Sequence, residues 1–282
     1  MFQIKKSLDH YKERIKLNKR SYLVYTVLRI LVIITAVRSF FLGNYESLLL
    51  CILSLILLLL PAFFEEKFRV RIPTTFEIII YLFIYAAEIL GEVNHFYTAI
   101  PIWDTMLHTL NGFLCAAIGF SLVELLNRNS KRMHLSPLYL TLVAFCFSMT
   151  VGVLWEFFEF GADQFFGLDM QKDFIVSSIA SVTLDPDNSQ KVIKVSEITR
   201  TIIETASGEQ TIMDGGYLDI GIIDTMKDLI VNFVGAVVFS VFGYMYVKYQ
   251  DKNIASKLRL QPLTKEDIAK QNEKIRASKN PK

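Results

Sequence analysis

Between Leu48 and Leu60 the chain reads LLLCILSLILLLL, with Ser54 as the one polar side chain. Extended to Glu46 and Phe64, the stretch has the length a helix needs to cross about 30 Å of hydrocarbon. A helix apolar all round has no polar face to offer water and is read as facing lipid. Pro61 near its end marks a helix stop. Five further runs are of similar length: Ser21–Leu42 before it, then Thr74–Leu90, Ile102–Leu126, Pro137–Phe160 and Ile223–Val247. The first is read as a retained helix and not a cleaved signal. It follows a long polar segment, carries Arg29 and Arg38, and has no small-residue cleavage site after it.

Over all 282 residues, 52% are apolar, 13% aromatic and 21% charged, with a formal net charge of +2. Apolar residues gathered in such blocks exclude an ordinary cytosolic enzyme, a disordered chain and a disulfide scaffold. The near-neutral balance argues against a nucleic-acid partner. Cys51, Cys115 and Cys146 all fall inside the runs and read as buried, unpaired thiols.

Lys and Arg near helix ends set orientation. They gather before the first span (Lys5, Lys6, Lys12, Arg14, Lys16, Lys19, Arg20), between spans two and three (Lys67, Arg69, Arg71) and between four and five (Arg128, Lys131, Arg132). After span six, ten basic residues face four acidic ones. Six spans with both termini cytoplasmic satisfy every one of these segments. The organisation expected is a basic leader over 1–20, helices one to five over 21–160, an acidic extracytoplasmic loop over 161–222, helix six over 223–247 and a basic tail over 248–282. The fold class is an all-α, six-helix transmembrane bundle in the cell membrane, with the lipid bilayer as its partner. Leader and tail read as solvated anchors, with binding of anionic headgroups as the alternative.

The loop holds ten acidic and four basic residues, a net of −6, and is too long for a bare connector. Phe174–Val176, Val192–Val195 and Thr201–Thr205 are β-branched runs. Ser207-Gly208 before Glu209–Met213 reads as a hairpin turn, and Asp185-Pro186-Asp187-Asn188 as another turn. A small, mostly β insertion between helices five and six follows.

Charged side chains inside a span need a partner or a function. Glu88, Glu92 and His95 stand at i, i+4 and i+7 in span three. Asp104 and His108 are one turn apart in span four, followed by Asn111 and Gly112. Glu156 and Glu159 follow Trp155 in span five. Asp224 and Asp228 open span six, with Asn232 one turn on. In the expected topology spans three and five run outward and spans four and six inward, so all four sets reach one depth near the outer surface. Asp104 and Asp224 also read as first-turn helix residues, and an intramembrane His as a packing residue.

So many carboxylates at one depth repel unless something neutralises them. A divalent metal is one resolution. His with carboxylates suits Zn, Mn or Fe, and carboxylates alone suit Mg or Ca; Zn, Mn or Mg is the expected cofactor. Arg38, at the right depth on span one, is a second resolution, and proton sharing is a third.

The order His95-Phe96-Tyr97-Thr98 to Pro101, Asp104-x3-His108-x3-Gly112, Glu124 to Arg128, Trp155-Glu156-x2-Glu159 and Asp224-Thr225-x2-Asp228 through Gly235-Ala236 resembles the YjdF-like family of bacterial multi-pass inner-membrane proteins of unknown function. The resemblance covers spans three to six. It departs at Glu92-Val93-Asn94, where that family tends to a glycine pair, and in the longer outer loop. It implies a bacterial membrane protein and supplies no reaction.

Three functions are open at this stage. The first is an outer-face cation site, with metal-assisted hydrolysis of a lipid-linked or periplasm-side substrate as its chemistry. Asp104, His108, Glu156, Asp224 and Asp228 are then candidate ligands, with Glu159 or Glu92 as general base and Glu88, His95, Asn111, Asn232 and Arg38 around them. The second is a proton- or ion-coupled transporter, for which Glu77, Arg29 and Glu124 offer a thin inner path. The third is a structural or assembly protein whose polar network only fixes packing.

Overall fold

The computed structural model describes residues 19–68, 70–129, 135–249 and 261–262. Most of the leader and tail, with Arg69, Lys131 and Arg132, lies outside the described residues. In chain order the elements are α1 (Lys19–Phe41), α2 (Tyr45–Leu57), α3 (Leu60–Phe68), β1 (Val70–Arg71), α4 (Thr74–Ile84), a π-helix (Tyr85–Val93), α5 (Phe96–Ala99), α6 (Trp103–Asn129) and α7 (Pro137–Phe166). Then come β2 (Ile175–Val176), β3 (Ile179–Ser181), a 3-10 turn (Val182–Leu184), β4 (Ile193–Val195), β5 (Arg200–Glu204), β6 (Gln210–Asp214), β7 (Tyr217–Leu218), α8 (Ile222–Tyr249) and β8 (Gln261–Pro262).

Five helical stretches are long and apolar enough to cross a membrane: Lys19–Phe41, Tyr45–Lys67, Trp103–Asn127, Pro137–Phe166 and Ile222–Tyr249. The third expected span is helical too, but divided. Eleven α-helical residues of α4 run straight into nine of π-helix. In the π segment the backbone bonds reach one residue further than in an α-helix, so the turn is wider. The indole N–H of Trp103 donates to the Ala86 carbonyl of that segment at 3.3 Å.

Three expected boundaries move. Pro61 does not stop the second span. The break comes earlier, at 58–59, and Pro61 stands in the first turn of α3, where its missing N–H is no loss. Gly161 does not end α7, which continues to Phe166 and stops before Gly167 at φ 64°. Span three ends in the π-helix at Val93 and not at Leu90.

The chain divides into two compact units, Met1–Val151 with Val231–Lys282, and Gly152–Ile230. In the first, α1 and α2 form a hairpin through Gly43, at φ 70°, and Asn44, whose side chain accepts the Ser47 amide at 3.0 Å. Helix α1 buries Ser21, Tyr25, Leu28 and Val32, a stripe at helical spacing. Tyr25, Leu28 and Val32 pack with Cys51, Leu58, Tyr81, Ile84 and Ile89. A second cluster joins Phe76 of α4 with Leu114, Ala117 and Phe120 of α6, Leu140 and Ala144 of α7, and Ala236 and Phe239 of α8. The outward faces stay apolar, with Leu23, Ile34, Leu49 and Ile56 all exposed. Between α1 and α4 the buried Glu77 accepts the Ser21 hydroxyl at 2.6 Å and the Tyr81 hydroxyl at 2.9 Å. The three cysteines are free; Cys51 is buried and Cys146, against expectation, is exposed, because it falls on the outward face of α7.

Helices α6 and α8 touch backbone to backbone. A Cβ on Gly112 would lie 2.0 Å from the Asn232 carbonyl oxygen, and one on Gly235 would lie 2.0 Å from that of Thr109. Small residues at an interface are what permit such an approach between membrane helices. Beside the crossing, Asn111 donates its amide to Asn232 Oδ1 at 3.0 Å, and Ser148 of α7 donates to the Gly112 carbonyl at 2.7 Å.

In the second unit the expected β insertion is three separate two-stranded antiparallel ladders, β2 with β7, β3 with β4 and β5 with β6. The hairpin over Ser207-Gly208 pairs Arg200 with Asp214 through to Glu204 with Gln210, with Gly208 at φ 81°. Asp185 organises the other turn. It accepts the Ser189 hydroxyl and amide, both at 2.8 Å, and the Asp187 and Lys191 amides at 3.2 Å. The Ser189 bond is the main cause holding its carboxyl below the usual carboxylate range, with the backbone amides adding to it.

Two predictions follow from this packing. Alanine at Gly112 or Gly235 must push α6 from α8 and should cost about 1–3 kcal/mol. Alanine at Gly161, whose nearest neighbour would be an ordinary 3.9 Å away, should stabilise by about 0.5–1 kcal/mol; thermal melts in detergent compare the three. Because the folded carboxyl of Asp185 titrates below the unfolded value of about 3.9, its stabilisation is present above that value and lost as pH falls through the folded one. Asp185→Ala should therefore speed protease cleavage within 185–191 at pH 7, and the difference from wild type should vanish in strong acid.

Candidate functional site

Three carboxylates meet inside the second unit. Glu156 and Glu159 project from α7 at i and i+3, which puts both on one helix face. Asp228 comes from α8. One oxygen from each lies within 4.8 Å of the others, and the residues are 5%, 7% and 2% exposed. An ion held at about 2.0–2.6 Å from its oxygens keeps any two of them within about 4–5 Å, so the spacing suits a single cation. Trp155, one turn before Glu159, donates its indole N–H to Glu159 Oε1 at 2.7 Å, and its ring lies 5.3 Å from that of Phe158.

One turn nearer the end of α7 and the start of α8, the same two helices hold down the segment 170–174. Asp163, four residues after Glu159 on α7, accepts the amides of Met170 at 2.7 Å and Gln171 at 2.9 Å. Asp224, four residues before Asp228 on α8, accepts the Lys172 amide at 2.8 Å. Asp219 accepts the Phe174 amide at 2.6 Å and the Ile223 amide in the first turn of α8 at 2.7 Å. Gln171 donates its side-chain amide to Thr225 at 2.5 Å, and the Lys227 ammonium lies 5.5 Å from the centre of the Phe174 ring. The segment is thus a strap across α7 and α8, tied by three aspartates. Sequence reading missed Asp163 and gave Asp219 no role, although each lies one turn from a residue it had singled out. Asp173, exposed on the strap, has its carboxyl held above the usual range by desolvation and then by the charges of Asp169, Asp219 and Asp163.

The other expected site residues are distributed as follows. In the first unit, His108 Nε2 lies 3.4 Å from Asp104 Oδ1 across one turn of α6, with side chains 12% and 16% exposed. Asn111 and Asn232 form the interhelical bond already described. Glu88 is buried in the π-helix, with no hydrogen-bond partner for Oε2 among the described residues, and Glu92 is half-buried. Two expectations are corrected. His95 does not continue the Glu88–Glu92 face, because the helix stops at Val93 and His95 sits exposed in a left-handed turn at φ 59°. Arg38 is exposed on α1, and an exposed guanidinium does not neutralise buried carboxylates. Among the described residues, no group of three or more potential metal ligands includes Glu88, Glu92, His95 or Asp224.

Residues 21–249 match the family described as predicted membrane protein (DUF2238). The chain belongs to that family. It therefore sits in a lipid bilayer and crosses it with several helices. Over 104 residues it is 27% identical to a protein of Thermotoga maritima described only as an uncharacterized protein; the match covers 37% of this chain and 52% of that protein. The chain thus spans about half the length of the relative it matches. No solved structure matches it.

Asp163→Ala removes two amide–carboxylate bonds, each of a kind worth about 1.5–3 kcal/mol. Hydrogen exchange at Met170 and Gln171 should quicken by roughly tenfold or more, while the β5–β6 hairpin keeps its protection.

Proposed function

We propose that this protein is a six-span membrane protein, both termini cytoplasmic, that holds a small divalent cation near its outer face through Glu156, Glu159 and Asp228. The buried triad carries the reading. Two ionised carboxylates at 4.8 Å repel by about 3–4 kcal/mol at an effective dielectric near 20. Three of them this close and nearly dry form a set of oxygens that a cation would fit. An all-oxygen set favours Mg or Mn; Zn would call for a nitrogen ligand.

Several features support the topology. Thr74–Val93 gives twenty residues of continuous helix for the third crossing. The basic residues around 67–71 and the acidic surplus of 161–222 fit a cytoplasmic and an outer side respectively. With α7 running outward and α8 inward, Glu156, Glu159 and Asp228 fall about two to three turns from the outer helix ends. The acidic residues around the strap would draw cations toward that side. Three protein oxygens leave positions on an octahedral ion for water and substrate, which is the arrangement metal-assisted hydrolysis needs.

Metal analysis of the detergent-purified protein after equilibration with Mn2+ tests this. Wild type should retain about one ion per chain, and Glu156→Gln and Asp228→Asn should retain far less. His108→Ala, run alongside, reports whether the Asp104–His108 pair holds an ion of its own. Equal, substoichiometric content in all four proteins would overturn the cation reading. Proton-dependent uptake in proteoliposomes would then identify a transporter.

A further inference from the structure

The stretch from Thr74 to Val93 contains a carboxyl that the cation reading does not use. Glu88 lies in the π-helix and is 2% exposed. Its Oε2 has no hydrogen-bond partner among the described residues. Within those residues the one charge acting on it is that of Glu92, four positions on, which is negative like its own. The helices packed against this segment, α2, α4, α5 and α6, bring it no cation. Aromatic rings pin the segment on both sides of it. Trp103 donates to the Ala86 carbonyl at 3.3 Å, and the ring of Tyr97 covers Gly91 so closely that a Cβ there has no room.

Two costs decide the state of such a carboxyl. In water a glutamic acid gives up its proton at about pH 4.3, so keeping it at pH 7 costs a factor of about 500. Burial without a partner disfavours the ionised form by roughly a thousandfold to a hundred-thousandfold, and a like charge nearby adds to that. The second cost exceeds the first, so the proton stays. We propose that Glu88 is a proton-binding site, holding its proton at neutral pH and exchanging it through Glu92. Glu92 is half-buried and stands beside the end of the π-helix, where Asn94 and His95 are exposed. Glu88 itself is closed off, so Glu92 is the carboxyl that passes a proton between it and the exposed end. One proton shared by the two also removes the repulsion that two charges would feel. Wide π-turns frequently mark functional sites, and this one carries the buried carboxyl. The site shares no residue with Glu156, Glu159 and Asp228, and it stands whether or not they hold an ion.

Infrared spectroscopy of the full chain in detergent at pH 7 tests both halves of the proposal. The difference between wild type and Glu88→Gln should contain the carbonyl band of a protonated carboxylic acid. A carboxylate band in its place overturns the site. Because a neutral Glu88 matches glutamine in both size and charge, Glu88→Gln should melt close to wild type, and a variant that fails to fold overturns the site as well. Transfer to D2O should shift the acid band as the proton is replaced by a deuteron; a band that never moves overturns the exchange. In Glu92→Gln the band should remain while its shift slows by roughly a hundredfold, the scale of losing a positioned acid–base group. Glu92→Asp, which keeps an acid there, should exchange at close to the wild-type rate. An exchange rate left unaltered in Glu92→Gln overturns the role of Glu92 alone.

Discussion

The contact between α6 and α8 is the constraint on which the first unit is built. Lipid tails are as apolar as leucine, so membrane helices gain little by hiding leucine from them and must be joined by close packing and hydrogen bonds. Here the backbones come so near that neither Gly112 nor Gly235 has room for a methyl group. The amide pair Asn111–Asn232 and the Ser148 hydroxyl fix the register of the crossing. The phenyl rings of Phe113, Phe120 and Phe239, with centroids 5.1 and 5.9 Å apart in edge-to-face contacts, fill the space beside it. Leucine-rich α2 contributes differently. It buries Leu50, Cys51 and Ser54 and turns its other apolar face outward.

Polar chemistry is then confined to places where helices can share it. Glu77 is answered by hydroxyls from α1 and α4. Glu156, Glu159 and Asp228 stand together, two on one helix and a third on the next, with the Trp155 indole donating to Glu159. The next turn along the two helices holds Asp163 and Asp224, which accept backbone amides. Two layers of carboxylate one turn apart thus have different work. Asp163 and Asp224 fix a segment of chain, and Glu156, Glu159 and Asp228 bring an oxygen each within 4.8 Å of the others.

Much of this was legible in the amino-acid order, and the rest was not for definite reasons. Long apolar runs located the helices, since crossing hydrocarbon imposes a length that composition reveals directly. The hairpin at Ser207-Gly208 was legible because a positive φ needs glycine there. The grouping of Glu156, Glu159 and Asp228 was foreshadowed by i, i+3 spacing and by an argument about depth. Asp163 and Asp219 went unrecognised because their partners are backbone amides, which leave no trace in side-chain identity. Asp224, read both as a first-turn helix residue and as a candidate ligand, stands in the first turn of α8 and accepts a backbone amide. His95 was placed on the wrong face because helical spacing was extended past the point where the helix stops. The bond from Trp155 to Glu159 was available from i, i+4 spacing and was not drawn.

The π-helix has a bearing on how the stretch from Thr74 to Val93 can vary. Each residue of an α-helix advances by about 100° around its axis, and a run of wider turns stores the equivalent of an extra residue without lengthening the loops at either end. Removing one residue from Tyr85–Val93 would let the segment relax to ordinary α-geometry. Everything before it would then have to swivel by roughly a quarter turn against Trp103, or everything after it would. Ile84, Glu88 and Ile89 could not all remain on the buried side. This stretch is thus a vernier, setting the rotation of one half of the rod against the other, and lineages that gain or lose a residue here should do so only together with changes in the helices that flank it.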